Sequence, residues 1–151
     1  MVANDGKQLP ISLLALGGEA PEGKQIISRE TAAQLLGMLH AVTGEQGTAR
    51  KARVSGYQVG GKTGTVHKVG PGGYEKHKYV ALFAGIAPID NPRIVTVVVI
   101  NDPKGKLYGG GAVAAPVFSQ ITSGTLRILG VPPSEIGTLS EAGKSAPGGA
   151  T

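Results

Sequence analysis

The spacing of apolar residues changes along this chain, and each change predicts an element. Residues 1–27 are broken by Asn4-Asp5-Gly6, Pro10, Gly17-Gly18, Pro21 and Gly23, so they read as a looping connector with one short apolar piece, Ile11 to Leu16. From Ser28 the period becomes helical. Ala32, Leu35, Leu36, Leu39 and Val42 fall on one face, Ser28 can cap, Glu30 suits the positive end of the helix dipole, and Gly44 is a stop. The spacing predicts a helix from about Arg29 to Thr43. After a basic loop the chain turns to strand patterns: Val59 to Val69, interrupted by glycines; Tyr79 to Ala87, ended by Pro88; and Arg93 to Ile100, ended by Asn101-Asp102-Pro103. Gly109-Gly110-Gly111 then leads into a second helix, Ala114 to Leu129, with Pro116 in its first turn and Gly130-Val131-Pro132-Pro133 closing it. Beyond Ser134 the Gly, Ser, Ala and Pro-rich end has no periodicity and reads as a disordered tail.

The link Ile89-Asp90-Asn91-Pro92 is too short for a parallel crossover, so the second and third strands must be antiparallel. The third run, Ile94 to Ile100, is apolar at nearly every position, which predicts an inner strand covered on both faces. The expected class is α+β, an antiparallel sheet with flanking helices.

Composition narrows the picture only a little. A chain of 151 residues with 40% hydrophobic content can build one core, and with 4% aromatics and no Trp that core must be mainly aliphatic. The formal charge of +5 would suit an anionic partner, but only Arg50, Lys51 and Arg53 cluster, so the surplus reads as solubility and no nucleic-acid partner is expected. The absence of cysteine removes disulfides and thiolate metal sites. No other metal-ligand spacing occurs, and neither a metal nor a cofactor is expected. The N-terminus has neither a basic nor an apolar leader region, and no run reaches transmembrane length.

The candidate chemistry sits at Gly61-Lys62-Thr63-Gly64-Thr65, which admits two readings. Gly56 to Thr63 fits the phosphate-loop spacing G-x-x-x-x-G-K-[ST], but that loop needs a helix beginning at Lys-Thr so that free amides face the phosphates. The residues that follow, Gly64-Thr65-Val66-His67-Lys68-Val69-Gly70-Pro71, are poor helix formers. An edge strand explains the segment better. A peptide could pair with its backbone, alternation would send Lys62 to one side and the Thr63 and Thr65 hydroxyls to the other, and Gly64 would let a ligand or nucleophile approach closely. Such groups can fix a carboxylate and aim an amide at a developing oxyanion.

The company of this segment adds a resemblance. Gly47-Thr48-Ala49, Gly56-Tyr57, Gly61 to Thr65, Phe83-Ala84-Gly85-Ile86-Ala87-Pro88, Val97 to Pro103, and Tyr108-Gly109-Gly110 through Phe118 occur in the order and spacing that resemble the C-terminal part of the transpeptidase domain of class B penicillin-binding proteins, most closely the division-specific peptidoglycan D,D-transpeptidases of Gram-negative bacteria. It covers roughly Ala3 to Pro133, with Asn4-Asp5-Gly6 resembling the end of a preceding helix.

The resemblance implies a five-stranded antiparallel sheet with helices on both faces, of which three strands are present here. It also implies that Lys62 and Thr65 are catalytic: Lys62 as a positive charge that assists proton movement, Thr65 through a backbone N–H that forms half of the oxyanion hole. The Thr63 and Thr65 hydroxyls would hold the substrate or β-lactam carboxylate, Gly64 would let the substrate approach, and Tyr79 and Tyr108 would be aromatic walls. His67 stands where many relatives carry Arg or Lys; it, His40 and His77 read as surface residues. The implied partners are peptidoglycan stem peptides ending in D-Ala-D-Ala, β-lactams and division proteins, and the implied location is the periplasmic face of the bacterial inner membrane.

One departure governs the rest. None of the eight serines in residues 1–151 that precede or follow this motif has a lysine three positions on or an asparagine two positions on, so the Ser-x-x-Lys nucleophile motif and the Ser-x-Asn motif are missing. The chain is therefore expected to be a partial domain, residues 1–134, followed by a tail at 135–151. It should be inactive alone and completed by the upstream part of the same domain, because without the serine there is no covalent route. The other functional classes are a non-catalytic module that binds peptidoglycan or a partner, and the nucleotide binder.

Overall fold

A computed structural model describes residues 1–11, 13, 18 and 21–134. The proposed tail at 135–151 and most of the apolar piece Ile11 to Leu16 lie outside the described residues.

The chain opens on a 3-10 turn, Val2–Asn4, which ends with Asp5 and Gly6 both in the left-handed region at φ 48° and 81°. This is a helix-terminating geometry, and it supports the reading of Asn4-Asp5-Gly6. The segment after it is not only a connector: β1 (Lys7–Gln8) pairs antiparallel with β2 (Lys24–Gln25). These short strands carry no apolar alternation, and that is why the pattern missed them. The first helix, α1 (Arg29–Ala41), is capped by Ser28, whose Oγ accepts the Thr31 N–H at 3.0 Å. It ends two residues before the expected Thr43, which instead turns back and donates its N–H to the His40 carbonyl.

Three strands form the main sheet in the order β3 (Gly60–Gly70), β4 (Gly73–Ala87), β5 (Ile94–Asn101), all antiparallel. Two corrections follow. Strand β4 begins six residues earlier than the apolar pattern predicts, because Gly73 to Lys78 form the polar arm of a hairpin that projects beyond the core. The arm is irregular: four residues of β4 lie between Tyr74 and Tyr79 where β3 places only Lys68 between Val69 and His67. His77 takes φ 62° there, and Lys78 pairs with Glu75 at 2.5 Å. The second correction concerns β5, which is not the inner strand but the sheet edge. The inner strand is β4.

Residues opposite each other across the ladder share a face. Gly61, Thr63 and Thr65 therefore lie with Gly85, Phe83 and Ala81, and with Thr96, Val98 and Ile100. The second helix, α2 (Gly110–Ile128), covers this face, and Phe118 meets Phe83 edge-on at 4.8 Å between ring centroids. Phe83, Phe118 and Leu126 are fully buried, joined by Ala114, Ala115 and Val98. Helix α2 starts four residues earlier than the expected Ala114, which puts Pro116 in its second turn rather than its first. Glycines are weak helix formers, but packing selects them here. A Cβ on Gly110 would lie 2.2 Å from the Leu82 carbonyl oxygen and 2.6 Å from that of Gly64, so only glycine lets the helix end sit on β3 and β4.

The opposite face carries Lys62, Gly64, Val66, Val80, Leu82, Ala84, Val95, Val97 and Val99. Helix α1 lies over its Gly60 end, where a Cβ on Gly60 would meet the His40 amide nitrogen at 2.8 Å. The rest is bare: Val95, Val97 and Val99 are 62%, 61% and 57% exposed.

Candidate active site on the edge strand

The segment Lys62 to Thr65 lies inside β3, on the free edge of the sheet. A phosphate loop would need a helix here, so this geometry removes the nucleotide-binding reading.

Alternation separates the site residues as the sequence predicts. Lys62 is exposed on the bare face, its Nζ donating to the Thr63 carbonyl at 3.0 Å. Thr63 and Thr65 stand on the α2 face. Gly64 shares the Lys62 face, and the space a Cβ would fill is taken by Leu82, whose Cγ and Cδ1 lie 2.8 Å from that position. Packing against Leu82 is thus a reason for glycine here independent of any ligand.

The start of α2 fixes Thr65. The Gly110 N–H donates to Thr65 Oγ1 at 3.0 Å, which occupies an acceptor site of the hydroxyl and leaves its proton free for an incoming oxygen. Thr48 Oγ1 lies 3.4 Å from Thr63 Oγ1. These hydroxyls open onto a cavity of about 500 Å³ whose wall also includes Arg50, Lys51 and the first residues of α2. No carboxylate lines it. Two basic side chains, hydroxyl donors and a helix N-terminus together favour an anionic group.

Thr48, Gly110, Arg50 and Lys51 are the positions that sequence reasoning left outside the site. Arg50 and Lys51 read as a solubility cluster because nothing in their spacing shows that the 3-10 turn Arg50–Ala52 packs beside α2. Thr48 and Gly110 did leave a signal: both belong to short motifs that accompany the edge strand in the resemblance.

Tyr79 and Tyr108 come together at the far end of this face. Their rings stack with centroids 4.0 Å apart and planes 12° from parallel. His67 joins them, 4.6 Å from Tyr79 and 6.2 Å from Tyr74. Desolvation in the stack, followed by the influence of the neighbouring Tyr108 phenol, raises the Tyr79 pKa above the ordinary tyrosine value. Among the described residues no group of three or more His, Cys, Asp or Glu could hold a metal ion.

An antiparallel sheet with a Lys-Thr-Gly-Thr edge strand and a helix end docked on it fits the family that the sequence resembles, and comparison with known proteins shows that family. The penicillin binding protein transpeptidase domain family matches residues 1–123, and the chain belongs to that family. It is 41% identical over 135 residues to a probable peptidoglycan D,D-transpeptidase PenA of Neisseria flavescens, covering 89% of this chain and 34% of the relative. It is 38% identical over 137 residues to peptidoglycan D,D-transpeptidase FtsI of Escherichia coli K12, covering 91% of this chain and 23% of the relative. Among solved structures, the transpeptidase domain of Burkholderia pseudomallei penicillin-binding protein 3, in its apo form, superposes with a TM-score of 0.79 at 42% identity, over 88% of this chain and 40% of that one. The chain thus spans about a quarter to a third of the length of these curated relatives.

Proposed function

We propose that residues 1–134 form the C-terminal portion of a peptidoglycan D,D-transpeptidase domain and contribute the Lys-Thr-Gly side of its acyl-transfer site, while the nucleophile comes from an upstream portion. The observation that carries this is the edge-strand geometry: Lys62 on the bare apolar face of the sheet, and Thr65 held by Gly110 on the other.

In this reading the upstream serine attacks the penultimate D-Ala carbonyl of a stem peptide. Lys62, with its charge on the face the upstream portion would cover, assists the proton's removal. The Thr65 N–H stabilises the oxyanion, and the Thr63 and Thr65 hydroxyls hold the terminal carboxylate. Collapse of the tetrahedral intermediate breaks the peptide bond, releases D-Ala with the proton it needs, and leaves an ester on the serine. An amine from a neighbouring strand then attacks the ester, forming the cross-link and returning the proton to the serine. A β-lactam would enter the same site and stop at the ester. Tyr79 and Tyr108 supply an aromatic wall, and the finer assignment is to a division transpeptidase working with division proteins on the periplasmic face of the inner membrane. No helix among the described residues is long and apolar enough to cross a membrane.

Intact-mass spectrometry after incubation with a β-lactam tests the proposal. The chain alone should show no adduct. Mixed with a separately produced upstream portion bearing the Ser-x-x-Lys and Ser-x-Asn motifs, it should yield one adduct, on the upstream serine. A stoichiometric adduct on this chain by itself would overturn the division of labour. Reversible binding without acylation even in the mixture would favour a non-catalytic module that recognises stem peptides.

A further inference from the structure

Away from the edge-strand site, a second cavity of about 620 Å³ opens between the end of α1 and the loop that leads into β3. It shares no lining residue with the cavity at Thr63 and Thr65. His40, Thr43, Arg53, Ser55, Tyr57 and Gln58 contribute to its wall, and no Asp or Glu does.

The end of a helix ordinarily presents unpaired carbonyls that attract cations. Here those carbonyls are taken. His40 O accepts from the Thr43 N–H, Ala41 O from Gly44, Val42 O from Ala49, and Thr43 O from Arg53 Nε at 2.8 Å. Thr43, only 3% exposed, places its hydroxyl 2.9 Å from His40 O and 2.8 Å from Val59 O. His40 Nδ1 lies 2.9 Å from the same Val59 carbonyl, which can only accept, so the ring carries its proton on Nδ1.

This leaves Arg53 with a net charge that no acid in the wall balances. Its backbone is tied down as well, since its carbonyl accepts from Ser119 Oγ at 2.5 Å. One edge of the guanidinium is used on Thr43, and its two terminal nitrogens have no protein hydrogen-bond partner among the described residues. A guanidinium held by Nε matches the planar, two-oxygen geometry of a carboxylate. Glu45, the nearest acid in sequence, is exposed and does not line the cavity.

We propose that this cavity is a second, non-catalytic binding site for the carboxylate of a peptide, with Arg53 as the principal contact and Ser55 and Gln58 as neighbouring donors. The site is independent of the edge strand, so its test stands apart from acylation.

The test is an amide-resolved NMR titration of the whole chain with N-acetyl-Gly-Glu-amide and with its uncharged counterpart N-acetyl-Gly-Gln-amide. N-acetyl-D-Ala-D-Ala forms a third arm, which distinguishes a side-chain carboxylate from a chain-terminal one. The expected result is saturable shifts confined to residues around 40–44 and 53–59 with at least one carboxylate peptide, and none with the amide. Arg53→Gln, which can still donate to the Thr43 carbonyl but has no charge, should weaken binding about tenfold. Should it lose the fold as judged by its amide spectrum, Gln58→Ala and Ser55→Ala, each on the exposed rim, serve as the second pair. Equal response to the Glu and Gln peptides, an Arg53→Gln protein that binds as before, or Glu-peptide shifts centred on Thr63 and Thr65 instead would each overturn the proposal, whereas D-Ala-D-Ala shifts at Thr63 and Thr65 report on the edge-strand site alone.

Discussion

At the scale of single residues, the site depends on contacts that only one side chain satisfies. Gly110 is the sharpest case, because a Cβ there would stand within 2.6 Å of two carbonyl oxygens of the sheet. Gly110→Ala should push the end of α2 off β3, break the bond to Thr65 Oγ1 and cost about 1–3 kcal/mol of stability in denaturant unfolding. Gly109→Ala is the control: its Cβ would meet only Thr65 Oγ1 at 3.9 Å, and it should leave stability nearly unchanged. Equal losses would show that the close approach at Gly110 does not set the cost. Tyr79 gives a second readout. Stacking on Tyr108 keeps its phenol protonated to higher pH than an ordinary tyrosine, so a pH titration followed by ultraviolet absorbance or NMR should find it ionising late. Tyr108→Ala should bring that ionisation down toward the usual value near 10, and an unmoved titration would mean that the stack does not form in solution. The sequence made Lys62, Thr63 and Thr65 legible because alternation along a strand depends only on local spacing. The partners that orient them, Thr48 and Gly110, are contacts at separations of 15 and 45 residues, and no local period encodes those.

At the scale of elements, the two edges of the main sheet are unlike in kind. Strand β3 has features that discourage strand pairing: four glycines, an exposed lysine and a register shift between His67 and Val69. Strand β5, Ile94-Val95-Thr96-Val97-Val98-Val99-Ile100-Asn101, has none, with no charge, no proline and no bulge. Natural sheets seldom leave such an edge open. The apolar run predicts an inner strand covered on both faces, and the structure overturns this: β5 is an edge, and among the described residues nothing covers Val95, Val97 and Val99, because an apolar run records how well a strand tolerates burial and not which neighbours it has. The two faces of β5 should therefore respond oppositely. Val97→Lys, on the bare face, should leave unfolding free energy within about 0.5 kcal/mol of the parent while lowering self-association seen by light scattering. Val98→Ala, on the α2 face beside Phe83, should cost about 1–3 kcal/mol. If Val97→Lys unfolds the chain, the bare face is covered in solution by this chain itself. The early starts of β4 and α2 have a related cause. The hairpin arm is polar on both sides, and the glycines that begin α2 are chosen by the sheet beneath them, so propensity argues against both.

At the scale of the whole molecule, the bare face and the proposed sharing of the acyl-transfer site with an upstream portion point in one direction. Lys62 lies on the same face as Val66, Val97 and Val99, so a body that covers those valines would also bring its own groups to Lys62. Burial of the apolar face and completion of the catalytic site would then be a single event. Such coupling makes stability a binding measurement: a partner present at about a hundred times its dissociation constant adds about 2.7 kcal/mol to the folded state. The chain alone should associate with itself, with a sedimentation profile that shifts with concentration. Adding an upstream portion that carries the serine motifs should replace those species by a one-to-one complex and raise the melting temperature by several degrees. Val97→Lys should weaken that complex, whereas Arg53→Gln, placed at the separate cavity, should leave it intact. A concentration-independent monomer with a sharp cooperative melt, indifferent to the upstream portion, would show that the three-stranded sheet and its two helices suffice, and would sever the exposed valines from the role proposed for Lys62.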